Sequence, residues 1–245
     1  MRYQIVPTSN VSALLSASDQ LLQRGMGMPG MGLIHGYTGY GKTTAATWLI
    51  NRVHGVYVRV LALSTPASFL GSLCDELGLA RKRSLAGNIE QIVERLADTG
   101  RPVFVDEADY LLRSSRMVET LRDIHDLSTV PVILIGEEGL ERKITTNKRL
   151  TRRIAEWVEF KPATLTDARM LANALLEHCD VADDLLEKLH DQAKGSTGLL
   201  VVGLDKVEKK ARRLGIDHMD LKAWGSDTPF VGNAPRAAKV VSLGG

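Results

Sequence analysis

The stretch GYTGYGKTT, residues 36–44, constrains the fold more than any other part of the chain. It has the spacing G-x-x-x-x-G-K-T, in which glycines let consecutive backbone N–H groups approach a phosphate chain. In such a loop the lysine reaches the outer phosphates and the threonine hydroxyl binds Mg²⁺. The apolar LIHG before it predicts a buried strand, and KTTAATWLINRV after it predicts a helix. Strand, glycine loop and helix follow in the order that a phosphate-binding loop requires.

The loop therefore predicts a nucleotide site with ATP and Mg²⁺ as its ligands. Lys42 is also a predicted catalytic residue, because its charge faces the outer phosphates, and Thr43 is a predicted Mg²⁺ ligand. The complete set of predicted nucleotide-binding residues is Gly36, Tyr37, Thr38, Gly39, Tyr40, Gly41, Lys42, Thr43, Thr44 and Asp106.

The second half of the site is predicted in VFVDEAD, residues 103–109. An apolar strand that ends in Asp106 places this carboxylate beside the Mg²⁺ held by Thr43. Glu107 is then positioned to orient an attacking water, which makes it a predicted catalytic residue of ATP hydrolysis. An acidic pair after a strand is by itself typical of a solvent-facing loop. The complete glycine loop upstream favours the nucleotide interpretation.

Strand and helix patterns alternate up to about residue 160, which predicts an α/β fold with a mostly parallel sheet flanked by helices. After that only helical patterns follow, at about 166–178, 183–193 and 199–214, with Gly215 as a helix C-cap. The predicted organisation has four parts. They are an N-terminal arm, helix and hinge loop (1–30), a P-loop α/β domain (31–162), a small all-helical lid (163–224) and a flexible tail (225–245).

Composition excludes several classes of protein. The net charge is only +2, so a nucleic-acid surface has to come from local clusters of basic residues. Two isolated cysteines argue against a disulfide scaffold or a zinc site. No apolar run approaches the roughly 20 residues of a membrane span, and no secretory signal is present. These features predict a soluble cytoplasmic protein with no membrane partner.

The stretch LERKITTNKRLTRRI, residues 140–154, is strongly basic. Three interpretations are open for it. Arg152 or Arg153 could enter the ATP site of a neighbouring subunit and act there as a catalytic arginine. Others of its basic residues could contact DNA phosphates. Each could also belong to an ordinary solvated helix face.

GYTGYGKTT, VFVDEAD, VILIGEEGL and LTRRI, followed by a small helical domain, together resemble the AAA+ ATPases. Within these, the chain is most similar to the transposition ATPases of Mu-like phages and related bacterial transposons, over about residues 10–215. The resemblance implies an ATPase that binds double-stranded DNA without sequence preference and self-associates into a filament. It also implies a transposase partner, to which the protein delivers target DNA and whose strand transfer it stimulates.

One departure from the AAA+ pattern concerns the lid. Many AAA+ proteins place an arginine there against the γ-phosphate, whereas KGSTGLL, residues 194–200, offers Ser196, Thr197 and Gly198. This predicts slow, switch-like hydrolysis. Glu137, at the end of the strand VILIG, is placed where a polar side chain could sense the γ-phosphate.

Two basic clusters on loops after strands are the predicted DNA contacts. Their residues are Arg81, Lys82, Arg83, Arg113 and Arg116. A further cluster, Lys206, Lys209, Lys210, Arg212 and Arg213, lies on a helix and favours an ordinary solvated face. The main alternative function is a protein-remodelling or secretion-associated ATPase with a polypeptide or cell-wall partner. A small-molecule kinase is disfavoured because the sequence has no substrate-lid signature.

Overall fold

The computed structural model describes residues 1–2, 4–25, 27–227 and 229. The tail predicted over 225–245 lies outside these residues except for 225–227 and 229, so its predicted flexibility stays a prediction. No helix of the described part is long and apolar enough to cross a membrane.

Five parallel strands form the central sheet, in the order β2-β3-β4-β1-β5. The strands are β1 (Met31–Gly36), β2 (Val56–Arg59), β3 (Val103–Asp106), β4 (Val132–Ile135) and β5 (Ile154–Phe160). β3 and β4 are buried along their whole length, as expected for strands covered by helices on both faces. The α/β fold with a parallel sheet flanked by helices is confirmed.

Helices cover both faces of this sheet. They are α1 (Ser9–Leu22), α2 (Lys42–Val53), α3 (Pro66–Glu76), α4 (Leu85–Thr99), α5 (Ala108–Leu111), α6 (Ser115–Ser128), α7 (Leu140–Thr146) and α8 (Lys148–Thr151). α1 and α2 pack on one face in a core with Ile34, whereas α3, α4 and α6 pack on the other in a core with Leu33. Successive residues of β1 thus serve opposite cores, because strand side chains alternate between faces.

The chain after residue 162 builds a second hydrophobic core, to which Val6 of the N-terminal arm also contributes. Its helices are α9 (Leu165–Leu175), α10 (Asp183–Ala193), α11 (Thr197–Leu214) and α12 (Leu221–Trp224). Gly215 ends α11 with φ 66°, which confirms the predicted C-cap. One feature was not expected in a region predicted to be all-helical. Two short strands, β6 (Asp180–Val181) and β7 (His218–Met219), pair in parallel, and at two residues each they are too short to show a pattern in the sequence.

The first ten residues tie this helical region to the sheet. The Arg2 backbone N–H donates to the Leu175 carbonyl at 2.8 Å, and that of Ser9 donates to Asp167 Oδ1 at 2.7 Å. Asn10 bonds both the carbonyl and the N–H of Lys161, at 2.8 and 2.9 Å. The arm therefore spans the junction at which the second region begins.

Candidate nucleotide site

The glycine loop turns sharply between β1 and α2, and its glycines have backbone angles that other residues rarely adopt. Gly36 has φ 145°, and a Cβ there would lie 2.5 Å from the Phe160 carbonyl oxygen. Gly39 and Gly41 both have φ 89°. Gly41 is the N-cap of α2, so the free N–H groups and the positive end of the helix dipole face the loop. This geometry suits an anion, and we call the loop the glycine cradle; glycine reaches these backbone angles more readily than other residues.

Lys42 folds back across the loop. Its Nζ donates to the carbonyls of Gly36 at 2.6 Å and Tyr37 at 2.9 Å. Burial lowers the pKa of Lys42, while nearby carboxylates, with Glu137 the strongest and Asp106 next, act in the opposite direction. The ammonium group therefore lies inside the loop, where it bonds two backbone carbonyls.

Asp106 ends β3 beside the end of β2, because the parallel register pairs it with Arg59. Its side chain is only 5% exposed. Oδ2 accepts a hydrogen bond from the Tyr57 hydroxyl at 2.8 Å, and Oδ1 accepts one from the Glu107 N–H at 2.9 Å. Burial and this carboxylate raise the pKa of Tyr57 to about 12. The two donors fix the orientation of a buried carboxylate.

Glu107 has a left-handed backbone, with φ 55°, which is uncommon for a residue with a side chain. Its Oε1 accepts a hydrogen bond from Arg59 Nη2 at 2.9 Å. The hydrogen bond to Glu107 and the negative charge of Glu107 both raise the pKa of Arg59. A strained backbone at a polar residue in a cleft is typical of functional sites.

A cavity of about 290 Å³ brings most of the predicted site together. It is lined by Thr38, Gly39, Gly41, Lys42, Thr43, Thr44, Asp106, Glu107, Gly136, Glu137 and Gly198. Among the other predicted ligands, Gly36 contributes a carbonyl to Lys42, Tyr37 is exposed, and Tyr40 lines a neighbouring cavity.

Glu137 follows β4 and contacts both the glycine loop and Asp109. The Thr38 hydroxyl donates to Glu137 Oε1 at 3.3 Å. The Glu137 N–H donates to Asp109 Oδ2 at 2.8 Å, and Asp109 Oδ1 pairs with Lys143 Nζ at 2.8 Å. Asp109 therefore links the end of β4 to α7.

The start of α11 closes over the glycine loop. The Gly198 N–H donates to the Gly39 carbonyl at 3.0 Å. The hydroxyls of Ser196 and Thr197 donate to the carbonyls of Gly39 and Tyr40, at 3.3 and 3.4 Å. The segment in which the sequence lacks the lid arginine thus holds the loop through small polar groups.

A second cavity, of about 240 Å³, adjoins the first and shares Gly41, Thr44 and Gly198 with it. Its walls are mostly apolar and come from the N-terminal arm, α2, β5, α9 and α11. They include Ile5, Val6, Val11, Ala45, Phe160, Leu171, Leu175 and Val201. A polar cradle continuous with an apolar cavity suits a ligand with a phosphate chain at one end and a flat ring at the other.

The two predicted trans-acting arginines differ in their surroundings. Arg153 Nε donates to Asp126 Oδ1 at 2.7 Å, and its Nη2 pairs with the other oxygen of the same carboxylate. Arg152 is exposed and makes no side-chain hydrogen bond or ion pair with any residue that the structure describes.

The predicted DNA contacts lie outside both cavities, and the prediction that they lie on loops after strands is wrong. Arg81, Lys82 and Arg83 connect helices α3 and α4, Arg113 follows α5, and Arg116 is in α6. Arg81 forms a two-bond pair with Asp75, and the Arg113 guanidinium carbon lies 4.7 Å from the ring centre of Tyr110. The side chains of Lys82, Arg83 and Arg116 are exposed.

Reasoning from the sequence missed Tyr57, Arg59 and the contribution of the N-terminal arm. Tyr57 and Arg59 lie in the strand pattern VYVR, and nothing in that pattern marks β2 as the neighbour of β3. The signal that could have found them is positional, because polar residues at the end of a strand next to an acidic strand end share one edge of the sheet.

The fold and the sequence can be compared with those of known proteins. The five-stranded parallel sheet flanked by helices matches the structures of AAA+ P-loop ATPases. Residues 26–144, which contain the glycine loop, Asp106 and Glu107, match the profile of the family described as "AAA domain". No curated protein matches the chain significantly.

Three solved structures of similar fold come from archaea. Cdc6p of Pyrobaculum aerophilum superposes with a TM-score of 0.62 and 16% identity, over 85% of this chain and 62% of that one. ORC2 of Aeropyrum pernix, solved as ADPNP-ADP complexes, superposes with a TM-score of 0.65 and 18% identity, over 91% of this chain and 68% of that one. ORC1 of Aeropyrum pernix, solved in complex with DNA, superposes with a TM-score of 0.63 and 16% identity, over 88% of this chain and 62% of that one. This chain thus spans less than two thirds of Cdc6p and ORC1, and the likeness concerns the fold.

Proposed function

We propose that the chain binds ATP in the two joined cavities and hydrolyses it slowly. The observation that carries this proposal is the single cavity lined by Lys42, Thr43, Asp106 and Glu107 beside the glycine cradle. We place the phosphates in the glycine cradle, whose turn needs glycine because a Cβ at Gly36 would meet the Phe160 carbonyl oxygen and one at Gly39 the Ser196 hydroxyl. The adenine ring fits the apolar cavity behind it.

The residues of this cavity also fit Mg²⁺. Thr43 and Asp106 supply a hydroxyl and a carboxylate, and oxygen ligands of this kind suit Mg²⁺ bound beside phosphates. When bound, the ion would neutralise charge on the β- and γ-phosphates. Tyr57 and the Glu107 N–H hold the Asp106 carboxylate in one orientation for this role.

Glu107 is the residue that we propose to orient the attacking water. Its carboxylate is paired with Arg59, so its availability for a water depends on that ion pair. Lys42 supplies positive charge at the outer phosphates. α11 contributes Gly198 to the lining of the phosphate cavity, and no arginine is among the described residues that line it. The lack of an arginine there supports slow turnover.

We further propose that an arginine from a neighbouring subunit completes the site, and that this arginine is Arg152. Its exposed and unpaired side chain supports this role, whereas Arg153 is held by Asp126. ATP would then draw copies of the chain together, because the nucleotide lies between the cradle of one subunit and the arginine of the next.

The finer proposal is that the assembled protein binds duplex DNA without sequence preference, and that it delivers this DNA to a transposase and stimulates it. The resemblance of VILIGEEGL and LTRRI to transposition ATPases supports it. The exposed cations Lys82, Arg83 and Arg116 are suited to phosphate contacts, and a similar fold has been solved in complex with DNA.

One observation favours the alternative partner, a polypeptide. Leu61 and Leu63, in the loop after β2, are 63% and 93% exposed. Exposed apolar side chains on a loop suit contact with an extended peptide better than contact with phosphates. The loop follows Arg59 directly, so a bound peptide would act close to the Glu107 pair.

A binding experiment separates these proposals. Calorimetric titration with ATP and Mg²⁺ tests the nucleotide site, and the absence of binding would overturn it.

Fluorescence anisotropy on random-sequence duplex DNA, with and without a nonhydrolysable ATP analogue, tests the DNA proposal. ATP-dependent, salt-sensitive binding supports it. ATP binding with no DNA binding under any condition would contradict it and favour the polypeptide alternative.

A further inference from the structure

The basic residues near the end of α11 form a walled pocket, which the DNA contacts proposed above do not include. Lys206, Lys209, Lys210 and Arg213 recur at spacings of three and four residues, so they share one face of the helix. Together with Trp224 and Asp227 they line a cavity of about 310 Å³. We call this cavity the α11 basic pocket.

Lys210 is an enclosed cation of the α11 basic pocket, with a side chain only 14% exposed. Its Nζ donates to the Trp224 carbonyl at 2.5 Å and lies 5.2 Å from the centre of the Trp224 ring. Trp224 is itself 2% exposed, and its indole N–H donates to the Asp227 carbonyl at 2.9 Å. The floor of the pocket is therefore ordered by packing, unlike a row of lysines in solvent.

The carboxylate of Asp227 already acts as an anion within this pocket. Lys210 Nζ lies 2.7 Å from Asp227 Oδ2. This hydrogen bond and the charges of Lys210, Arg213 and Lys206 together lower the pKa of Asp227. Three cations thus act on one carboxylate.

Positive charge is in excess at the α11 basic pocket. Lys209 pairs with Asp205 at 2.6 Å and Lys210 with Asp227 at 2.7 Å, whereas the exposed Arg213 makes no hydrogen bond or ion pair with any residue that the structure describes. A phosphate group carries the negative charge that this excess favours. The pocket therefore has both a place for an anion and unbalanced charge around it.

We propose that the α11 basic pocket binds the phosphodiester backbone of duplex DNA, and that Asp227 is an internal anion which a DNA phosphate displaces. This inference rests on the DNA binding proposed above. Duplex is favoured over single-stranded DNA because the one aromatic ring among the described residues of the pocket, Trp224, is buried and cannot stack on a base. Contact with phosphates alone is also consistent with binding that ignores sequence.

Two variants change the pocket in opposite directions. Arg213→Ala removes one exposed cation, so the salt slope should become shallower by about 0.9, and affinity should fall about eightfold near 0.1 M salt. Asp227→Asn removes the internal anion and should tighten binding by a similar factor, with a steeper slope. Arg95→Ala and Asp98→Asn, both exposed on α4, make the same changes in net charge away from the pocket and should leave the slope unchanged.

The measurement is anisotropy of a labelled random duplex at saturating ATP analogue, over a series of salt concentrations, for all four variants and the original chain. Opposite shifts for Arg213→Ala and Asp227→Asn, absent from both α4 controls, support the pocket. If the original chain binds DNA but both pocket variants match their controls, the pocket is refuted while the proposed DNA binding stands. If no form binds DNA, both are overturned.

Discussion

Replacing Tyr57 by phenylalanine tests whether the orientation of Asp106 matters for the site. The change keeps the ring and removes only the hydroxyl, which donates to Asp106 Oδ2 at 2.8 Å. Asp106 is 5% exposed, so water cannot readily replace the lost donor. The carboxylate then keeps a single described hydrogen bond, from the Glu107 N–H.

The magnitude follows from the chemistry of this contact. A hydrogen bond to a charged group contributes about 1.5–3 kcal/mol, so Tyr57→Phe should lower the free energy of unfolding in urea by about that amount. Loss of a hydrogen bond that orients a metal ligand typically weakens metal binding about 10- to 100-fold. The Mg²⁺ concentration for half-maximal ATPase activity should rise accordingly, while ATP binding without Mg²⁺ stays the same.

Tyr110→Phe is the matched control, because the Tyr110 hydroxyl has no hydrogen bond among the described contacts. It should change neither stability nor the Mg²⁺ requirement. If Tyr57→Phe behaves like Tyr110→Phe in both measurements, the hydrogen bond to Asp106 has no role in the site.

The pKa of Tyr57 provides an independent check on this contact. Burial and Asp106 raise the pKa to about 12, above its ordinary value of 10.0. A raised pKa stabilises the folded protein fully below pH 10, and this contribution is lost as the pH rises towards 12. Ultraviolet titration should show that one of the five tyrosines ionises last, and Tyr57→Phe should remove that step.

Three further predictions address the other groups of the site. Lys42→Ala should weaken ATP binding about 10- to 100-fold by calorimetry, since a charge-assisted contact is lost; unchanged affinity would contradict the site. Glu107→Gln should keep ATP binding and slow turnover about 10²-fold or more, and loss of binding would contradict the assigned role. Arg152→Ala should reduce turnover by up to about 10³-fold and reduce ATP-dependent assembly, measured by sedimentation. Arg153→Ala should mainly lower the free energy of unfolding, by roughly 0.5 kcal/mol, because the ion pair with Asp126 is lost. Equal effects of the two arginine changes on assembly would remove the distinction between them.

The parts of the fold that could be predicted from the sequence are those set by local chemistry. Thr65 and Pro66 predict a helix start, and the structure has the reciprocal cap between Thr65 and Ser68 at that point. The glycine spacing predicts the loop because other residue types rarely adopt those backbone angles, and the patterns LIHG and KTTAATWLINRV on either side predict β1 and α2.

The parts that could not be predicted depend on which strands are neighbours. β2 lies next to β3 although α3 and α4 separate them along the chain, and only this order brings Arg59 to Glu107. The arm shows no periodicity, and its position comes from bonds to distant residues such as Asp167 and Lys161. Likewise, Arg152 and Arg153 are equivalent in the sequence and differ only because Asp126 of α6 lies beside one of them.

α11 connects the nucleotide site to the α11 basic pocket through one rigid element. Its first turn holds the glycine loop through Gly198, and its last two turns carry Lys210 and Arg213. At 1.5 Å per residue, Gly198 and Arg213 are about 22 Å apart along the axis. The backbone hydrogen bonds of a helix all lie within the helix and make it stiff. A tilt of its first turn is therefore also a tilt of its last turn. If ATP binds as proposed and moves Gly198 relative to the loop, the basic face at the other end of α11 should move relative to the sheet as well.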